Sequence, residues 1–71
     1  MSRLQKRSFA LAGHRTSVAL EAEFWDALAG IAAARGVVVG RLVADLDAAR
    51  APEQSLASIL RVFVVRELTS S

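Results

Sequence analysis

His14, Arg15 and Ser17 are the side chains of this sequence whose types and spacing best suggest chemistry, and they sit within four consecutive positions. His14 is the single histidine, and the chain has no cysteine. A metal centre needs several imidazole or thiolate ligands, and a nucleophilic triad needs a histidine oriented by an acid. One histidine with no acid placed near it supplies neither, even when doubled by two-fold symmetry. Serine, histidine and aspartate all occur, but their presence alone has no specificity. Gly36 and Gly40 are too few and wrongly spaced for a nucleotide-cradling loop. The sequence therefore predicts no catalytic residue, metal or cofactor, and His14 is read as a turn residue or a phosphate contact.

Binding chemistry fits better. An arginine fork matches guanine O6 and N7, the commonest specific contact in the major groove of DNA, and gives Arg15 a role. The Ser17 hydroxyl can donate or accept beside it. Arg3, Lys6 and Arg7 suit phosphates, which position a protein on DNA without reading sequence. Charge distribution agrees. Residues 1–16 hold Arg3, Lys6, Arg7 and Arg15 with no acid, whereas residues 17–71 hold five arginines against seven acids. A positive end on a slightly acidic body points to a polyanion partner. A solubilising basic tail explains the same four charges.

The elements that must position these residues begin with two alternating runs. In residues 7–12, Phe9 and Leu11 share one face and Ser8 and Ala10 the other. Gly13-His14 offers a turn. In residues 15–20, Thr16, Val18 and Leu20 face one way and Arg15, Ser17 and Ala19 the other. Residues 1–5 read as a flexible basic arm, and the two runs then make either a hairpin or a frayed arm over 7–12 followed by one strand at 15–20. The second run is the better defined because it feeds directly into a helix. A lone strand needs an antiparallel partner for its backbone groups, and a two-fold copy of the chain would supply one.

Helical spacing then predicts three helices, at 22–35, 39–50 and 56–68. Phe24, Leu28, Ile31 and Ala32 form the apolar stripe of the first, widened by Trp25. Gly30 and nearby alanines leave room for another element to approach. Arg35 and Gly36 end the helix by a cation in the last turn and a residue free to take positive φ. Leu42, Val43 and Leu46 line the second helix, with Asp45 and Asp47 facing away and Arg41 within reach of Asp45. Pro52 stops it, and Ser55 is the N-cap of the third. Leu56, Ile59, Leu60, Phe63 and Val64 line that helix. Val62 and Val65 broaden the stripe and suggest burial on a second side. Thr69 to Ser71 should fray.

Seventy-one residues make one domain, and a chain this short usually needs a disulfide, a metal or a partner to be stable. Without the first two, a 54% hydrophobic chain points to a homodimer. The lack of cysteine suits a reducing cytoplasm. Arg61, Arg66 and Glu67 interrupt the C-terminal apolar window, which therefore falls short of the ~20 residues of a membrane span.

The order of elements, with Lys6-Arg7-Ser8, Gly13-His14-Arg15-Thr16-Ser17-Val18, Phe24-Trp25-Asp26-Ala27-Leu28 and the run 31–36, resembles the ribbon-helix-helix family of bacterial DNA-binding proteins. Within that family it is similar to the short alphaproteobacterial-type domains, over residues 6–68. Further matching pieces are Asp45-Leu46-Asp47, Leu56-Ala57-Ser58 and Leu60-Arg61-Val62-Phe63-Val64. The resemblance implies a mainly α fold with a short β-ribbon and an additional C-terminal helix, intertwined as a homodimer. The paired strands would enter the major groove of double-stranded DNA. Arg15, Ser17 and Ala19 would face the bases, and the amides of Val38, Val39 and Gly40 would hold a phosphate. Thr16, Val18, Leu20, Phe24, Trp25, Leu28, Ile31, Leu42, Leu46 and Phe63 would form the dimer core.

Two positions depart from the family pattern. Ala19 offers only an apolar contact, to a thymine methyl, where a long polar residue is common. Val38 stands where a serine or threonine would cap the second helix, a hydroxyl worth about 1 kcal/mol. Two functions follow as expectations. One is a cytoplasmic, homodimeric transcriptional regulator. The other is a dimerisation or adaptor module of antitoxin type, with residues 56–68 as the surface for a protein partner or a tetramer.

Overall fold

The computed structural model describes residues 3–70; Met1 and Ser2 of the expected arm and Ser71 of the expected frayed tail lie outside them. Strand β1 (Leu4–Leu11) and strand β2 (His14–Glu21) form an antiparallel hairpin, followed by helices α1 (Ala22–Ala34), α2 (Val39–Ala49) and α3 (Leu56–Thr69). The helices lie against one face of the hairpin.

The hairpin settles the choice left open by the alternation. Residues 15–20 find their partner in the same chain, so one edge of β2 is satisfied without a second copy. A second copy of the chain is therefore not needed to pair that edge of β2. β1 is also longer than the alternation suggested: it begins at Leu4, inside the stretch expected as an arm. The turn is Ala12-Gly13, not Gly13-His14. Both turn residues have positive φ, 51° and 81°, as a two-residue connection of the right twist requires. His14 is thereby released to open β2 opposite Leu11.

What holds β1 down is Trp25. Its indole Nε1 donates to the Gln5 carbonyl at 2.7 Å. Its ring lies 5.8 Å from that of Phe9 and beneath the Arg7 guanidinium at 4.9 Å. Leu11 is buried at the far end of the strand. β2 is held differently, by burying Val18 and Leu20 under the helices.

On α1 the buried positions are Trp25, Leu28 and Ala32, with Phe24 and Ile31 half-buried at the flanks. The predicted stripe is therefore rotated towards Trp25. Gly36, at φ 71°, ends the helix. Its N–H donates to the Ala33 carbonyl and that of Val37 to Ala32, at 3.1 and 3.0 Å, which satisfies two terminal carbonyls. Arg35 lies just past the last turn and donates to Glu67 Oε1 at 2.6 Å. A Cβ at Gly30 would meet nothing within 4 Å, so no element of this chain uses the room left there.

Leu42 and Val43 bury α2, and Arg41 reaches Asp45 at 3.3 Å as the spacing predicts. Asp47 is half-buried rather than turned to solvent. Its Oδ1 accepts from Arg50 Nε at 2.8 Å, and the same guanidinium donates to the Gln54 carbonyl at 2.8 Å. Arg50 thus braces the loop that Pro52 enters. Ser55 caps α3 by accepting from the Ser58 N–H at 3.1 Å. Leu56, Leu60 and Val64 are the buried line of α3. Val62, Val65 and Leu68 are exposed, so this chain alone gives α3 one covered side, not two.

Among the described residues no single helix is long and apolar enough to cross a membrane. The pair α1 and α2 reaches the length only together, bent by 99°.

Candidate functional site

Opposed residues of an antiparallel pair share a face, so the register sorts the hairpin's side chains. Lys6 stands across from Ala19, Ser8 across from Ser17, and Ala10 across from Arg15. These six, with Leu4 and Glu21 at the open end of the hairpin, make the outer face. The other face carries Gln5, Arg7, Phe9 and Leu11 from β1 with His14, Thr16, Val18 and Leu20 from β2. Arg15, Ser17, Lys6, Ser8 and Ala10 are all exposed, and Ala19 is half-covered. The alternation predicted for residues 15–20 places each of them as observed.

The hydroxyls of Ser8 and Ser17 meet at 3.0 Å. Sequence reasoning put Ser8 on a face with Ala10 but did not bring it beside Ser17. That needed the register, and the register needed the identity of the turn. The remaining acid at the hairpin, Glu21, is bound by Arg61, whose Nε and Nη2 donate to Oε1 at 3.1 and 2.9 Å. A backbone hydrogen bond first, and the Arg61 guanidinium second, hold the Glu21 carboxyl below its ordinary value. It stays ionised and its charge is offset. The exposed centre of the outer face is therefore cationic and sterically low, with Lys6 and Arg15 rising over serines and alanines.

Arg7, expected beside Lys6 on phosphate, lies on the opposite face over the Trp25 ring. Arg3 is exposed and precedes β1. His14 is exposed beside the turn.

The second candidate surface is the start of α2. Val38 is the N-cap in extended conformation, offers no side-chain hydrogen bond, and is 75% exposed. Its carbonyl accepts from the Arg41 and Leu42 amides at 3.1 and 3.3 Å. The first-turn N–H groups of a helix have no intrahelical acceptor, and Val39 and Gly40, both half-buried, occupy that turn. Phe9 approaches here: a Cβ on Gly40 would sit 3.9 Å from its Cδ1. Strand β1 thus touches both surfaces, with Lys6 and Ser8 on one side and Phe9 on the other.

Of the expected dimer-core residues, Val18, Leu20, Trp25, Leu28 and Leu42 are already buried within the single chain. Thr16, Phe24, Ile31, Leu46 and Phe63 remain half-buried. Only the second group has surface left to offer a second copy. Among the described residues, no group of three or more His, Asp or Glu is arranged to hold a metal ion.

Residues 4–68 match the family model of the ribbon-helix-helix domain. The solved structure of an uncharacterized protein from Bordetella pertussis Tohama I is similar to this chain, with a TM-score of 0.81 at 35% sequence identity. The likeness covers 96% of this chain and 58% of that one, so this chain spans little more than half its length. No curated protein matches. A match running from the first residue of β1 to the last turn of α3, on a chain that folds as ribbon and then helices, carries one conclusion: the chain belongs to the ribbon-helix-helix domain family.

Proposed function

We propose that this chain is a homodimeric, cytoplasmic DNA-binding protein, a transcriptional regulator, of the short alphaproteobacterial-type group within its family. The observation that carries the reading is the outer face of the hairpin. It bears Arg15 and Lys6, is free of large apolar side chains at its centre, and has its flanking carboxylate offset by Arg61. The unpaired edge of β2 would pair antiparallel with the same strand of a second copy, and Phe24, Ile31, Leu46 and Phe63 would complete the shared core. Arg15 would take guanine, Ser17 a neighbouring base, and Ala19 a thymine methyl. The amides of the N-cap Val38 and of the first-turn residues Val39 and Gly40 would hold a backbone phosphate.

The test is selection of bound duplexes from a random pool at stated salt, with Arg15→Ala in parallel. The expected outcome is one palindromic motif. Binding should weaken with salt at a log–log slope of about −0.9 per phosphate neutralised. Arg15→Ala should cost about 1–3 kcal/mol and relax one base position in each half-site. A flat salt response with no duplex preference would overturn the reading.

A specific observation favours the second reading, protein association. The exposed Val62 of α3 borders a cavity of about 220 Å³ between α2 and α3, lined also by Leu46, Ala49, Ile59 and Phe63 and flanked by Arg50 and Arg66. A dimerisation or antitoxin-like module would use that side. Val62→Glu separates the two readings: it should leave duplex binding intact and abolish only association through α3.

A further inference from the structure

The register sets a second strand beside the reading strand, on the same face. Lys6 lies directly across from Ala19, and Ser8 directly across from Ser17. If β2 pairs with the β2 of a second copy, as the function above requires and as this inference assumes, the sheet becomes four strands wide with the two β1 strands outermost. Neighbouring strands lie about 4.8 Å apart, which sets the outer strands about 14 Å from each other. The major groove is about 12 Å wide. The two β2 strands fit between its walls. The two β1 strands do not: they come down on the walls, which are the phosphate backbones.

We infer that β1 is a phosphate clamp. Lys6 and Ser8 of each copy grip the backbone on either side of the groove, and that grip sets the depth and register at which Arg15 and Ser17 meet the bases. The long cation missing at Ala19 is thus present one strand over, aimed at the backbone instead of at a base. The 3.0 Å contact between the serines links the two roles. A phosphate oxygen only accepts, so Ser8 must keep its proton for it. Ser17 then donates to Ser8 and faces the base as an acceptor, which suits the amino group of adenine or cytosine. Arg7 takes no part, since it lies on the other face over Trp25.

The experiment uses the full chain and the duplex selected by the unaltered protein. Lys6→Ala should weaken binding evenly across sequences and make the salt slope shallower by about 1.8, for one phosphate per copy. The selected motif should not change. Lys6→Arg should restore the slope, which separates loss of charge from loss of fold. Ser8→Ala should weaken binding several-fold with no change in slope, because a neutral hydroxyl displaces no counterion. An unchanged slope in Lys6→Ala, or a preference altered at one base pair, would overturn the clamp while leaving the functional reading standing. No salt-dependent binding by the unaltered protein would overturn both.

Discussion

β1 and β2 have the same length and pair along all of it, yet the molecule holds them in different ways. β2 buries Val18 and Leu20 and runs straight into α1. β1 buries only Leu11, next to the turn, and its opening half is exposed. Apart from Leu11 and the approach of Phe9 to the start of α2, its attachment is the ladder to β2 plus Trp25, which meets the strand by an indole hydrogen bond, a ring contact and a stacked guanidinium. β2 is thus a strand by its own burial, and β1 is a strand because something reaches it. The strand with the weaker hold is also the one that carries Lys6 and Ser8.

Removing that reach should have the largest effect. Trp25→Ala is expected to cost about 3–5 kcal/mol, a large share of the stability of a small domain. Amide hydrogen exchange should show β1 released before β2. Trp25→Phe, which keeps the ring and loses the Nε1 donor, should cost about 1 kcal/mol and affect mainly the opening residues of β1. Equal loss of protection in both strands of either variant would erase the distinction between them.

The turn sharpens the comparison in the other direction. Ala12 has a φ that costs a residue with a Cβ about 1–2 kcal/mol, and asparagine tolerates it better. Ala12→Asn should therefore stabilise the hairpin by about 1 kcal/mol, read as a higher denaturant midpoint with slower exchange in β1. Arg7→Ala should cost about 0.5–1 kcal/mol through the lost contact with Trp25, with no change in the salt slope of any duplex binding.

The smallest effect belongs to the end of β2. The Glu21 carboxyl is held below its ordinary value of 4.5 in the folded chain, so its contribution is complete above that value. That contribution is lost as pH drops from there through the folded-state value. Glu21→Gln should flatten this part of the acid unfolding profile by slightly lowering stability near neutrality, while stability below the folded-state value stays almost unchanged. An identical acid limb in the variant would show that Arg61 does not hold the carboxylate.

Much of this architecture was readable in the chain, and the limits of that reading are physical. The three helices lie within a residue of their predicted ends, because Gly36, Pro52 and Ser55 act locally on the backbone around them. The facing of Arg15, Ser17 and Ala19 was readable because a strand has period two and Val18 and Leu20 demand cover. The identity of the turn was not, since alanine at positive φ gives no composition signal. Nor was the partner of β2. Alternation says that a strand must pair but not with what, and the arm-like polarity of residues 4–8 hides a strand fastened from outside. The outward turn of Val62 and Val65 was likewise unreadable, because an apolar stripe does not say how much of it one chain can cover.

The sequence by itself determined the order of elements from β2 onward, the faces of β2 and the cationic character of one end, since propensity, periodicity and charge act between near neighbours. Only the tertiary structure decided that β1 is a strand, that Ser8 meets Ser17, that Arg7 is withdrawn to Trp25 and that Glu21 is offset by Arg61. Each of those contacts joins residues from 9 to 40 positions apart. Their geometry depends on how a helix packs on a hairpin, and no local rule along the chain contains it.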